Sequence, residues 1–195
     1  MYNIRNMSVN DSYTPAPINI YKTLTKLWLQ YVLWMRSFII STKHDLPDLQ
    51  FVTERLLIIP SDFARFLEPF YGDSSKEFER LFRDHLLLGT KLINDLKNGD
   101  TYAANVDRLN WYMNADDLAE FLTRTNPLWT LQRWQEILYQ LLRTVENYAR
   151  SRFNEKYEED IVIYDSMEEQ ALKTADLMSQ GSIFSITRMP FWLIG

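Results

Sequence analysis

Two histidines, His44 and His85, are the only imidazoles in a chain of 195 residues that has no cysteine. The absence of cysteine removes thiolate zinc sites, cysteine-held iron–sulfur clusters and cysteine nucleophiles together. His85 sits inside an apolar stripe, after Leu81 and Phe82 and before Leu88 and Gly89. A lone histidine on such a face serves either as a core residue satisfied by one hydrogen bond, the preferred reading, or as a ligand or base. His44 closes a predicted helix, where a cation complements the helix C-terminus. The Glu-x-x-His pairs with which four-helix bundles hold two metals do not occur. Arg36 lies at the edge of another apolar stripe and needs a carboxylate or an exit to water. Asp116 or Asp117, beside Asn114 on a later helix, is the candidate partner.

Other chemistries lack their parts. The five glycines, Gly72, Gly89, Gly99, Gly181 and Gly195, stand too far apart for a phosphate-cradling loop. No G-x-S-x-G elbow is present. The acidic group from Glu155 to Glu169 lacks the glycine turn of a calcium loop and reads as a solvated helix face. No catalytic residue, cofactor or metal is assigned. The net charge of -5 disfavours a nucleic-acid partner, because binding phosphates needs a basic surface. The most apolar segment, Leu27 to Ile40, contains Gln30 and Arg36 and falls short of the ~20 residues that span a bilayer. No secretory signal opens the chain, so the cytoplasm is the expected compartment, with a spore-associated location as the variant.

The elements that carry these residues are helices. Leu24, Leu27, Tyr31, Trp34 and Phe38 recur at three and four residues, as do Phe78, Leu81, His85, Leu88 and Leu92, and Trp134, Leu138, Leu141, Val145 and Tyr148. The fold class is all-α: a single-domain up-and-down bundle of about six helices over residues 20–181, with an N-terminal arm (1–19) and an apolar C-terminal tail (182–195). Pro15 and Pro17 stop any helix in the arm, and Pro60 kinks or splits the second helix. Ser74 and Glu77 have capping-box spacing. Val106, Leu109, Met113, Leu118 and Leu122 form the apolar side of the fourth helix. The last helix carries Ile161, Tyr164, Leu172, Ala175 and Met178 and ends at Gly181. Beyond it Phe184, Phe191, Trp192 and Leu193 are too apolar for a solvated terminus and must dock.

Several segments, LWLQYVLWMRSFIIS, DLPDLQFVTERLL, DHLLLGTKLI, WYMNADDLAEFL and YEEDIVIYDSMEEQALKTADLM, resemble a family of short all-helical proteins of spore-forming bacteria that carry the label acetylglutamate kinase. The resemblance covers about Leu24 to Gly181. An amino-acid kinase needs a sheet and glycine-rich phosphate loops, which this chain lacks, so the resemblance implies the helical fold rather than the activity. In that family, histidines stand at the places of Tyr31, His85, Leu141 and Gln170, which implies a ferritin- or hemerythrin-like core with a metal centre. This chain keeps only His85, so the matching positions imply a small buried polar network of Tyr31, His85 and Gln170.

Two functions are weighed. The first is a non-enzymatic bundle that acts by self-association or protein–protein interaction, as a homo-oligomer through its arm and its tail. The second is a small-molecule or metal-binding bundle with ligand-binding residues Tyr31, Arg36, His85, Asp117 and Gln170.

Overall fold

The structure, a computed structural model, describes residues 16–187. The arm up to residue 15 and the tail residues Phe191, Trp192 and Leu193 lie outside the described residues. Seven helices and no strand occur among those described: α1 (Ala16–His44), α2 (Leu49–Leu56), α3 (Ile59–Tyr71), α4 (Ser74–Asn98), α5 (Thr101–Thr125), α6 (Leu131–Phe153) and α7 (Tyr157–Thr187).

Successive long helices run antiparallel. His85 lies beside Asn114 and Lys91 beside Asp107, which sets α4 against α5; Tyr112 beside Tyr139 sets α5 against α6. Gln170 beside Thr144 and Tyr164 beside Tyr148 set α7 against α6. α7 returns along α1, with Arg36 over the Tyr164 ring, and Lys43 at the end of α1 donates from Nζ to the Phe153 carbonyl that closes α6 at 2.8 Å. The short helices α2 and α3 bridge α1 to α4 and close the bundle. Its centre is aromatic: Trp28 meets Phe63 at 5.1 Å and Phe82 at 5.7 Å, and Phe82 meets Phe78 at 5.5 Å. Such pairs add about 0.5–1.5 kcal/mol each beyond the area they bury.

The stripes of α1, α4 and α6 face this centre as the periodicity predicts, with Trp34 and Leu88 at its margin. Pro60 splits the second helix in two and occupies the first turn of α3, where its missing N–H costs no bond. Pro17 does the same in α1, so that helix starts at Ala16 rather than Ile20. The capping box at Ser74 does not form: Asp73 is the N-cap, without a side-chain cap, and Ser75 Oγ donates to the Gly72 carbonyl at 2.7 Å. Glu155 takes a left-handed conformation (φ 61°) between α6 and α7 and makes the turn without glycine.

Three readings are corrected by packing. On α5 the buried face is Ala104, Asp107, Trp111, Asn114, Ala115, Leu118, Ala119, Phe121 and Leu122, while Val106, Leu109 and Met113 point outward. Ala104, Ala115 and Ala119 allow close packing of this face, and Gly89 of α4 leaves room for the Trp111 ring; a Cβ there would lie 3.0 Å from it. On α7, Ile161 and Leu172 are exposed. The buried side holds Ala171, Thr174, Ala175, Met178 and Ser179, and the two hydroxyls bond to carbonyls of their own helix at 2.7 and 2.6 Å.

α7 also continues through Gly181 to Thr187 and draws Phe184, half-buried, into the helix instead of the tail. Gly181 packs on Trp129, and a Cβ would overlap that indole. The fully buried Asn126 side chain fastens the site by donating to the Gly181 carbonyl at 2.8 Å and to Tyr71 and Ser185 hydroxyls at 3.0 Å. Gly181→Ala is therefore expected to lower stability in urea by about 1–3 kcal/mol, against the ~1 kcal/mol gain the exchange brings in an open helix.

Candidate functional site

Tyr31, His85 and Gln170 are all buried, but no hydrogen bond joins them. His85 Nδ1 lies 2.7 Å from Asn114 Oδ1, and Asn114 Nδ2 donates to the Leu81 carbonyl at 3.2 Å. That second bond fixes the amide, so Nδ1 carries the proton and Nε2 offers a lone pair with no partner. Burial pushes the imidazole down to about 4 against the raising effect of Asn114, so it is neutral near pH 7. Phe82 and Trp111 wall the ring at 6.2 and 5.4 Å. The Tyr31 hydroxyl is likewise unpartnered, and burial raises it above the ordinary tyrosine range. Gln170 Nε2 donates to Thr144 Oγ1 at 2.8 Å, leaving Oε1 free. The three side chains thus turn to different neighbours.

Arg36 does not meet Asp116 or Asp117. Its guanidinium lies over the Tyr164 ring at 4.9 Å on the α7 side of α1. Asp116 instead accepts from Gln135 at 2.8 Å and Tyr139 at 2.5 Å on α6, and Asp117 is exposed. Among the described residues no three histidine, aspartate or glutamate side chains converge as a metal site would need.

A second feature emerges on α5, where sequence periodicity placed core. Tyr102, Val106, Leu109 and Met113, spaced by four, three and four residues, form an outward stripe with exposures of 82% at Tyr102, 62% at Leu109 and 57% at Met113. Leu87 of α4 extends it, and a shallow groove of about 490 Å³ runs past Leu87, Leu88, Asn110 and Met113, with Asp84, Lys91 and Asp117 at its edge. The remaining outward residues of this segment, Thr101, Asn105 and Asn110, are uncharged.

Of the two charged residues between Thr101 and Met113, one is buried and the other leans to α6 while also donating to the outward Asn105 at 2.6 Å. Asp107 is buried and accepts from Lys91 Nζ at 2.8 Å. Arg108 turns to α6 and holds Glu146 with two bonds, at 2.7 and 2.6 Å. Burial raises the Glu146 carboxyl, but the bonds from Arg108 and Arg150 outweigh it and hold it below the usual range. A helix therefore presents about three turns whose fully exposed side chains carry no charge, flanked by the half-buried Arg108. The sequence signal was the stripe itself, which matches an inward face equally well when a second, smaller-residue stripe is overlooked.

The fold defines an all-α helical bundle, and no helix among the described residues is long and apolar enough to cross a membrane. No family model, no curated protein and no solved structure matches the chain.

Proposed function

We propose that this chain is a non-enzymatic association module, a rigid bundle whose α5 face is covered by another protein in its working state. The uncharged stripe of Tyr102, Val106, Leu109 and Met113 carries the reading. Contiguous apolar surface on a fixed helix costs solubility, and it is retained where a partner buries it. Single exposed apolar residues such as Phe51 and Ile58 need no such account. This reading adds the α5 face to the arm and tail that the sequence favoured, most of which lie outside the described residues.

Native size in a cell extract tests it. The chain is expected to elute well above its own 23.3 kDa, and a Leu109→Arg/Met113→Glu variant to elute as a single chain. Equal elution of both at the single-chain size removes the proposal.

The second reading, a metal- or small-molecule-binding bundle, draws on the unpartnered buried atoms Tyr31 Oη, His85 Nε2 and Gln170 Oε1. Metal analysis of untagged protein separates the two. Stoichiometric metal that is lost in His85→Ala favours the second.

A further inference from the structure

We propose that the partner of the α5 face is a second copy of this chain, packed α5 against α5 in antiparallel about a two-fold axis between Leu109 and Asn110. The inference rests on the association reading above and adds the partner and the register.

Charge is the first argument. A chain of net charge -5 repels its own copy, and that repulsion is least across a face whose central stripe is uncharged. The stripe is also self-complementary in this register. Val106 of one copy lies across from Met113 of the other, and the pair recurs on the far side of the axis. Tyr102 lies across from Asp117, so the most exposed hydroxyl on the stripe meets an exposed carboxylate that pairs with no described residue. A phenol donating to a carboxylate is a charge-assisted bond, and symmetry makes it twice. The parallel arrangement would set Asp117 beside Asp117 and align the two helix dipoles, both unfavourable.

The chain's own tail aromatics do not fit as occupants. Phe191 and Trp192 follow Thr187 by four and five residues, a reach of at most ~18 Å. Asn126 holds Gly181 at the end of α5, so Met113, thirteen residues back along the helix, lies ~20 Å to one side. α7 runs parallel to α5 and carries Thr187 a further ~9 Å to the other side. The gap of ~29 Å exceeds the reach even to the nearest residue of the stripe.

The absence of cysteine permits a clean test on the full chain. Light scattering of the purified protein is expected to give twice the 23.3 kDa chain mass, and Leu109→Arg to give a single chain with an unchanged helical spectrum, since Leu109 touches solvent. Under mild oxidation, Val106→Cys mixed with Met113→Cys is expected to yield about tenfold more disulfide dimer than either variant alone. Like positions lie beyond the ~7 Å that a disulfide bridges, whereas the unlike pair faces across the axis.

A single-chain mass for the purified wild type overturns the second-copy inference. The association reading survives that result if the chain still elutes large in extract and falls to single size in the double variant. A dimer that persists in Leu109→Arg lies on another surface and overturns both. Cross-linking of Val106→Cys with itself overturns the antiparallel register.

Discussion

Lowering the pH from 7 to 4.5 is expected to cost this protein ~2.4 kcal/mol of stability through His85 alone. The folded imidazole titrates at about 4 because burial disfavours its charged form, whereas an unfolded histidine titrates near 6.5. Between these values the unfolded chain binds the proton that the folded chain refuses, so acid favours unfolding. The contribution is complete above pH 6.5, falls away as pH drops toward 4, and changes no further below that. Urea titrations across this range check it. The wild-type midpoint should fall, and in His85→Gln the fall should shrink by most of that amount. Comparing the two proteins cancels the carboxylates, including Glu146, whose depressed folded pKa makes its own contribution vanish only in stronger acid. An identical pH dependence in both would mean that His85 takes up a proton inside the bundle.

The other large loss is expected at the turn between α6 and α7. Asp160, fully buried in the first turn of α7, meets Arg152 at 2.9 Å through Nε and 3.1 Å through a terminal nitrogen. Arg152 is also flanked by Tyr148 and Tyr157 rings, at 5.8 and 5.0 Å. Asp160→Ala leaves that guanidinium in an aromatic pocket without its counter-charge, an arrangement that costs about 3–5 kcal/mol. An exposed pair such as Arg133–Glu136, at 3.5 Å, contributes no more than ~0.5 kcal/mol. The Arg152→Leu/Asp160→Leu double variant should recover much of the loss, because a paired apolar replacement strands no charge. Chemical denaturation of the three proteins measures both effects.

Most of the helical framework was legible in the sequence because its stripes are wide and built from large residues, as in Leu24 to Phe38 and Trp134 to Tyr148. Proline and cap positions also read correctly at Pro60, Gly99 and Asn126. What failed was decided by contacts distant in sequence. Gly181 has the look of a helix stop, yet it is helical because Trp129 occupies the space beside it. α5 carries two apolar stripes over its N-terminal half, and Val106, Leu109 and Met113 face water because Trp111 fits against Gly89. The partners of His85, Arg36 and Gln170 were not legible either, since helix periodicity says which face a side chain occupies but not which helix lies opposite.

Coverage of α5 is the claim on which the functional account stands, and hydroxyl-radical footprinting reads it directly at Met113 and Tyr102. In undiluted extract both residues are expected to be modified several-fold more slowly than in the purified Leu109→Arg chain, with Phe51, exposed on α2, as the unchanged reference. Equal modification of Met113 and Tyr102 in the two samples would show the stripe open to water in its native setting and would contradict the account.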